Sequence, residues 1–309
     1  MTADVIIEFR RRPSVLAYML RGLYPSPGVH GTGGGPAMSA RWRSHRVDRR
    51  HLAEFLQLSG LRADPGMPIL FPHVFSFPLQ MAVLTHPRFP IPFWKALQIR
   101  NHLLQHRSIL ADAILDLETR VVGQRILEKG VEFDLHTSVS AQQELVWETL
   151  NTFYYRGRYG QAGAASPLAR APRHGDTLVA RWRTAAAASG WRFAALTGDY
   201  NGIHYWHWYA RRLGFRGAFL PPQLVLGQSM ARLSAPRATE RQRLDVWLKG
   251  PVYTDAGVRL NATTESDRAV FGLSLDGEER PAILASWRSG EAAGPLFDSE
   301  SRPIGMDEP

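Results

Sequence analysis

TGDYNGIH at residues 197–204 and YARRLGF at residues 209–215 form the most informative stretch of this chain. Within six residues, the first segment holds a carboxylate, an amide and an imidazole on Asp199, Asn201 and His204. An aspartate and a histidine brought together beside a glycine turn can act as acid and base on one small substrate. The addition or removal of water requires such a pair, so this stretch predicts an enzyme.

The composition limits the chemistry and the partners. The 309 residues contain no cysteine, which excludes disulfides, thiolate catalysis, iron–sulfur clusters and cysteine-ligated zinc. The net charge is +9, and Lys95, Lys129 and Lys249 are the only lysines among 37 basic residues. Arginine suits bidentate contact with phosphate, so nucleic acid, a coenzyme A phosphate or an acidic carrier protein are candidate partners. A solvated basic surface is the alternative, and the scattered arginines argue against nucleic acid.

Two loop-like spacers divide the chain into halves of similar length. We predict an N-terminal extension and linker at 1–38, a first domain at 39–159, a linker at 160–175, a second domain at 176–289 and a disordered tail at 290–309. Residues 14–24 predict a short amphipathic helix. No apolar run approaches the ~20 residues that cross a bilayer, so we expect no membrane span and a cytoplasmic location.

The order of predicted elements is alike in the two halves: one strand, then helices, then a series of strands. The first half has predicted strands at 40–47, 94–104, 109–120, 124–137 and 143–156, and helices at 50–59 and 77–85. The second half has predicted strands at 177–183, 244–253, 257–264, 269–275 and 281–288, and helices at 189–197, 204–213 and 223–233. This is an α+β plan seen twice, and pairing the halves edge to edge would cover exposed strand edges.

The motif resembles that of the MaoC-like dehydratases and (R)-specific enoyl-CoA hydratases. Their sequence reads roughly Ser-Gly-Asp-x-Asn-Pro-Ile-His, followed by a helix that ends in Gly-Phe. Here GDYNGIH at 198–204 and Gly214-Phe215 match it, and FAAL at 193–196 resembles the lead-in. In the first half, FPLQMA at 77–82 and LQIRNH at 97–102 resemble the non-catalytic domain of double hot-dog acyl dehydratases.

This resemblance implies a double hot-dog fold, with two antiparallel sheets each wrapped around a central helix, and an intramolecular pseudo-dimer. It implies that Asp199 and His204 flank the acyl carbons beside a thioester, that Asn201 orients the pair, and that the first half accommodates the acyl chain. Substrate contacts would come from Phe215, Tyr200, Pro222 and the backbone N–H of Gln223. The substrate would be an acyl-CoA or an acyl carrier protein thioester, without a metal or cofactor. The resemblance leaves a further homodimer open.

The sequence departs from the family pattern at two places. Gly202 stands where the family usually has proline. Pro221 and Pro222 stand where the family has His-Gly at the start of the central helix. Since proline has no N–H, Gln223 N–H or a side chain would have to bind the developing oxyanion.

Three functions remain open from the sequence. The first is a hydro-lyase that interconverts 3-hydroxyacyl and trans-2-enoyl thioesters. The second is an acyl-CoA thioesterase, and the third is a non-catalytic subunit that binds acyl thioesters. An Asp-x-Asn pattern is also typical of a helix N-cap, which requires no chemistry at all.

Overall fold

The computed structural model describes residues 4–22, 24–29, 35–63, 66–234, 239–299 and 302–304. The strands are β1 (Val5–Phe9), β2 (Met38–Arg46), β3 (Leu97–Gln105), β4 (Ile114–Leu127), β5 (Gly130–Ala141), β6 (Glu144–Arg156), β7 (Leu178–Arg183), β8 (Gln242–Leu248), β9 (Gly257–Thr264), β10 (Arg268–Leu275) and β11 (Ile283–Ser289). The helices are α1 (Val15–Arg21), α2 (Arg49–Ser59), α3 (Phe71–Leu84), α4 (Ala187–Thr197), α5 (His207–Arg212) and α6 (Pro222–Met230). The predicted α+β class is confirmed.

These strands form one sheet in the order β1-β2-β4-β5-β6-β3-β8-β11-β10-β9-β7. The paired strands are antiparallel, apart from the parallel pair of β1 and β2. The halves meet where β3 pairs with β8, with Asn101 opposite Val246. The expected edge-to-edge pseudo-dimer is therefore present, and its pairing joins the two predicted sheets into one continuous sheet.

One deeply buried helix lies in each half. All 14 residues of α3 are buried, and α6 is buried except for Pro222 and Gln228. A helix that is apolar all round is enclosed by its surroundings. α3 begins at Phe71, earlier than the predicted start at residue 77. Pro72 occupies the first turn, where its missing N–H costs nothing, whereas Pro78 inside the helix hides the continuity of the pattern.

Four other predicted elements have wrong boundaries. The strand predicted at 109–120 begins only at Ile114 and continues to Leu127 as β4. The strand predicted at 124–137 is split by a turn at Glu128 and Lys129, between β4 and β5. The helix predicted at 204–213 is a 3-10 turn at Gly202–His204 followed by the short helix α5. The strand predicted at 244–253 ends at Leu248, shortly before Gly250 and Pro251 interrupt the ladder.

The predicted N-terminal extension is part of the fold. β1 pairs with β2, with Val5 opposite Met38. α1 confirms the predicted short helix, and its Tyr18 is fully buried. The Tyr18 hydroxyl donates a hydrogen bond to the carbonyl of Gly198 at 2.7 Å. Residues far apart in the chain thus meet beside the motif.

The predicted disorder of the tail does not hold for residues 290–299. Ala293 and Leu296 are buried against an apolar cluster that includes Leu104, Leu150 and Leu168. Leu168 lies in the predicted linker at 160–175, so the linker and the tail both pack against the sheet. The remainder of the predicted tail, apart from residues 302–304, lies outside the described residues. Of the helices in the described ranges, none has the length and apolar character to cross a membrane.

A buried ionic network lies at the junction of β3 and β8. Asp245 accepts hydrogen bonds from His102 at 2.8 Å, Arg243 at 2.9 Å and Arg288 at 2.6 Å. Burial alone would raise the pKa of Asp245, but the hydrogen bond from His102 and the two guanidinium charges lower it well below its usual range. Arg243 also donates to the carbonyls of Pro295 and Ile304, which fastens the C-terminal segment over the junction.

Candidate active site

The motif begins where α4 ends. Gly198 has a φ of +81° and its N–H donates to the carbonyl of Ala194, so it forms the left-handed C-cap. A Cβ at this position would lie 2.4 Å from the Tyr18 hydroxyl oxygen. Both the backbone conformation and the close approach of Tyr18 therefore require glycine. This turn directs Asp199 out of the helix.

Backbone hydrogen bonds fix the loop that carries Asp199. The N–H of Asp199 donates to Thr197 Oγ1 at 3.1 Å. Its carboxylate oxygen Oδ1 accepts the N–H of Asn201 at 3.2 Å. The other oxygen, Oδ2, faces the imidazole of His204. The carboxylate is thus held on one side and left free on the other.

His204 is held in one orientation by the backbone. Its Nδ1 lies 2.9 Å from the carbonyl oxygen of Phe219. A carbonyl only accepts, so Nδ1 carries the proton and Nε2 points toward Asp199. Nε2 lies 3.6 Å from Asp199 Oδ2, and the His204 and Asp199 side chains are 7% and 21% exposed. That distance exceeds a direct hydrogen bond and suits a water molecule bound to both groups.

Asn201, which was predicted to orient Asp199 and His204, lies in the turn between them. The Asn201 side-chain Oδ1 accepts the N–H of Ile203 at 3.3 Å and caps the 3-10 turn that ends in His204. Asn201 is therefore the N-cap of this 3-10 turn, and its role in orienting Asp199 and His204 stays a prediction. Its backbone N–H binds Asp199, and its side chain shapes the turn before His204.

The departure at Gly202 has a structural explanation. A Cβ on this residue would lie 2.6 Å from Cε3 of Trp206 and 3.0 Å from Cδ1 of Tyr209. The aromatic side chains that follow the motif fill the space that a larger residue would need. Glycine therefore fits the space beside these rings, and a larger residue would require the exposed Trp206 ring to move.

A cavity of about 270 Å³ lies next to Phe215, at the end of the motif segment, and its lining does not include Asp199, His204 or Gln223. Phe215 and Pro222 are among its lining residues, as is Phe219. The ring of Phe219 packs edge-on against His204 with centroids 5.2 Å apart, so this ring connects the imidazole to the cavity wall. The structure does not place Tyr200 at the cavity, because its ring packs against Trp191 instead.

The first turn of α6 also meets this cavity. The N–H groups of Leu224 and Val225 both donate to the carbonyl of Pro221, at 3.1 and 3.3 Å. Among the described residues, no acceptor is bonded to the backbone N–H of Gln223. Because Pro221 and Pro222 have no N–H, Gln223 presents the first backbone donor of the helix.

A chain of amide side chains connects this turn to the first half. Gln223 Nε2 donates to Gln98 Oε1 at 3.0 Å, and Gln98 Nε2 donates to Asn151 Oδ1 at 2.6 Å. Asn151 in turn lies 3.5 Å from Nδ1 of His73 on α3. Burial lowers the pKa of His73 to about 4, although the negative charge of Asp199 opposes this shift. His73 is therefore neutral at neutral pH.

Two residues near Asp199, Tyr18 and His73, were not predicted from the sequence. Burial and the Asp199 carboxylate raise the pKa of Tyr18 well above its usual value, so its hydroxyl stays protonated. Tyr18 lies in a segment assigned to a linker, and His73 lies in the first turn of α3 ahead of the predicted start. A buried aromatic position on an amphipathic helix was the available signal for Tyr18.

Comparison with known proteins finds similar chains that are named as dehydratases. The 3-hydroxyacyl-thioester dehydratase X of Mycobacterium tuberculosis is 26% identical over 210 residues, covering 68% of this chain and 74% of that protein. The crystal structure of the M. tuberculosis protein HtdX has a TM-score of 0.70 at 22% identity, over 81% of this chain and 99% of that one. A MaoC-like dehydratase from Phytophthora capsici has a TM-score of 0.63 at 17% identity, over 84% and 97%.

No protein-family model matches the chain. The structural neighbours nevertheless cover both halves, so the double hot-dog fold expected from the motif is confirmed. The resemblance to the MaoC-like dehydratases, first seen in residues 198–204, is confirmed by the curated relative and by these structures.

Proposed function

We propose that this chain is a hydro-lyase that interconverts (R)-3-hydroxyacyl and trans-2-enoyl thioesters. The observation that carries this proposal is the pair of Asp199 Oδ2 and His204 Nε2, 3.6 Å apart and each fixed on its far side by a backbone group. The relative from M. tuberculosis, which is named as a 3-hydroxyacyl-thioester dehydratase, supports the same reaction.

The geometry suggests a division of labour between the two groups. In hydration, Asp199 would hold a water molecule while Nε2 of His204 accepts one of its protons. The C3–O bond then forms, and the imidazolium returns that proton to C2 of the acyl group. Dehydration runs the same steps backward. Because the carbonyl of Phe219 fixes Nδ1–H, the imidazole keeps Nε2 toward the substrate throughout.

The thioester oxygen gains negative charge while C2 accepts the proton. We propose that the Gln223 N–H binds this oxygen, in place of the glycine amide that Pro222 removes. Its unpaired state among the described residues, its position at the N-terminus of a buried helix and the presence of the adjacent Pro222 in the cavity lining support this role. Preorganised donors of this kind are often the largest contribution to catalysis.

The substrate is proposed to be a thioester of coenzyme A or of an acyl carrier protein. Phe215 and Pro222 would contact its acyl group or its carrier arm, and the first half would supply the rest of the apolar wall. Asn201 is proposed as a positioning residue. A further homodimer and a cytoplasmic location remain predictions, and sedimentation of the purified chain would test the first.

The test is turnover of the full chain on trans-2-enoyl-CoA esters of several chain lengths. Loss of the conjugated enoyl absorbance should accompany formation of the (R)-3-hydroxyacyl ester, identified by chromatography against both enantiomers. Release of free thiol without hydration would instead support the thioesterase. Tight binding without turnover in either direction would support the non-catalytic subunit, in which Pro221 and Pro222 have removed the oxyanion site.

A further inference from the structure

Three exposed tryptophans lie close in the sequence to the proposed catalytic motif. The chain contains nine tryptophans, and only Trp191, Trp206 and Trp208 are exposed, at 50%, 49% and 60%. Trp191 lies on α4, which leads into the motif, and the other two directly follow it. Single exposed apolar residues are common, whereas an exposed group of large apolar side chains marks a surface that contacts a partner.

The rings of these tryptophans form one continuous cluster. The Trp191 ring packs edge-on against Tyr205, with centroids 5.0 Å apart, and Tyr205 packs edge-on against Trp206 at 5.1 Å. Trp206 stacks on Trp208 at 6.1 Å, with 22° between the ring planes. The Tyr205 hydroxyl donates a hydrogen bond to the carbonyl of Tyr200, so the middle of the cluster is fixed to the motif. The exposed rings therefore belong to one surface.

Two arginines extend this surface. Arg211 and Arg212 follow Trp208 by three and four residues on α5, so all three side chains share one face of the helix, and all are exposed. Among the described residues, no carboxylate forms an ion pair with either arginine. The sequence contains no acidic residue between Asp199 and Glu240. We call this surface the tryptophan patch; it consists of Trp191, Trp206, Trp208, Arg211 and Arg212.

Size and charge narrow the choice of partner. About half of each tryptophan side chain is exposed, which gives the patch about 300 Å² of aromatic surface. A stable protein–protein interface needs about 800 Å² from each partner, so these rings supply less than half of one. A second copy of the chain would bring two sets of arginines into one interface without an acidic group of the patch to pair with them. The patch therefore suits an anionic partner that it can contact without a large matching surface.

We propose that the tryptophan patch binds the surface of an anionic lipid bilayer. Tryptophan rings favour the boundary between lipid headgroups and acyl chains, where the apolar ring is buried and the indole N–H stays hydrated. The guanidinium groups of Arg211 and Arg212 suit the phosphates of the headgroups. This contact is peripheral and requires no membrane-spanning helix. It does not depend on the reaction proposed above.

The test is co-sedimentation of the full chain with lipid vesicles. Vesicles of phosphatidylcholine with about one-third phosphatidylglycerol should bind the chain at least ~10-fold more tightly than vesicles of phosphatidylcholine alone. Salt at about 0.5 M should release most of the bound protein, because it screens the surface charges. Lipids brominated in the upper part of the acyl chain should quench the tryptophan fluorescence of the bound protein, because the exposed rings enter the interface.

Substitutions divide the binding between charge and rings. The double variant Arg211→Gln/Arg212→Gln should weaken binding to the anionic vesicles roughly 10- to 30-fold. Trp208→Ala should weaken it about 10-fold and reduce the quenching, since it removes the most exposed ring. These side chains are exposed, so circular dichroism and urea unfolding should show little change in the fold.

Two variants outside the patch serve as matched controls. Arg156→Gln/Arg158→Gln removes the same two charges from exposed positions at the end of β6, in the first half. Leu110→Ala truncates an apolar side chain that is 59% exposed, as Trp208→Ala does within the patch. Both controls should bind the anionic vesicles as the unsubstituted chain does.

Several outcomes would overturn the proposal. Failure to bind the anionic vesicles would do so directly, and equal losses in the two arginine double variants would assign the binding to net charge instead of the patch. A dimer in sedimentation that dissociates in Trp208→Ala would assign the patch to a second copy of the chain. Binding of an acidic carrier protein that is lost in Trp208→Ala, without any binding to vesicles, would assign it to a protein partner.

Discussion

The Tyr18→Phe substitution tests whether the N-terminal segment supports the active site. Tyr18 is fully buried, and its hydroxyl is 2.7 Å from the carbonyl of Gly198, directly before Asp199. That carbonyl also accepts the N–H of Tyr200 at 3.2 Å, so it does not lose every partner. The expected loss in the free energy of unfolding is therefore about 1 kcal/mol, the usual net value for one hydrogen bond.

The larger effect should be on catalysis. Tyr18 holds the turn that sets the direction of the Asp199 carboxylate, and displacements of about 1 Å from a productive geometry can cost roughly 100-fold in rate. We expect kcat for enoyl-CoA hydration to fall about 10-fold with little change in KM, because Tyr18 is not among the residues that line the proposed substrate cavity. Urea unfolding and steady-state kinetics on the same preparations measure the two effects.

Tyr155→Phe is a matched control for this experiment. Tyr155 is also fully buried, but its hydroxyl has no hydrogen-bond partner in the described structure. Its removal should leave kcat unchanged and should not lower stability. The argument for Tyr18 is refuted if Tyr18→Phe keeps the full kcat, or if the two variants lose activity equally.

Three further predictions concern stability and its dependence on pH. Gly198→Ala should destabilise the fold by at least about 1 kcal/mol and abolish hydration, because its Cβ would meet Tyr18; a stable, active variant in urea unfolding and turnover assays would contradict this. His73 has a pKa lowered to about 4, below the ~6.5 of an unfolded chain, so stability should fall as the pH drops. The free energy of unfolding should fall by about 2 kcal/mol by pH 5. In urea unfolding, His73→Gln should lack this part of the pH dependence. Asp245→Asn should cost about 3–5 kcal/mol in chemical unfolding, since Arg243 would keep a buried charge without its partner; an unfolding midpoint like that of the unsubstituted protein would count against the network.

The sequence predictions that proved correct rest on local sequence patterns. Residues 198–204 contain the turn, the cap and both proposed catalytic side chains within one short segment, so their proximity requires no tertiary information. The repeated order of elements predicted that the two halves pair edge to edge, but it did not predict which strands pair. The structure confirms the edge-to-edge pairing and assigns it to β3 and β8, with Asn101 opposite Val246.

Contacts between distant segments could not be predicted from the sequence. Tyr18 and Gly198 are separated by 180 residues, and nothing in either local pattern points to the other. The buried tail depends in the same way on a long-range partner, Arg243, whose hydrogen bonds reach Ile304. His73 was missed for a local reason, because Pro78 interrupts the helical pattern although the buried surroundings of α3 tolerate it.

The central claim is that Asp199 and His204 act as one unit on water and substrate. The most direct measurement is kcat/KM for enoyl-CoA hydration in Asp199→Asn, His204→Gln and the double variant, with folding checked by circular dichroism. Each single variant should lose roughly 100- to 10,000-fold, and the double variant should lose little more than either one, because removing one member already disables the pair. Losses that multiply in the double variant, or single variants that keep the original rate, would contradict the account.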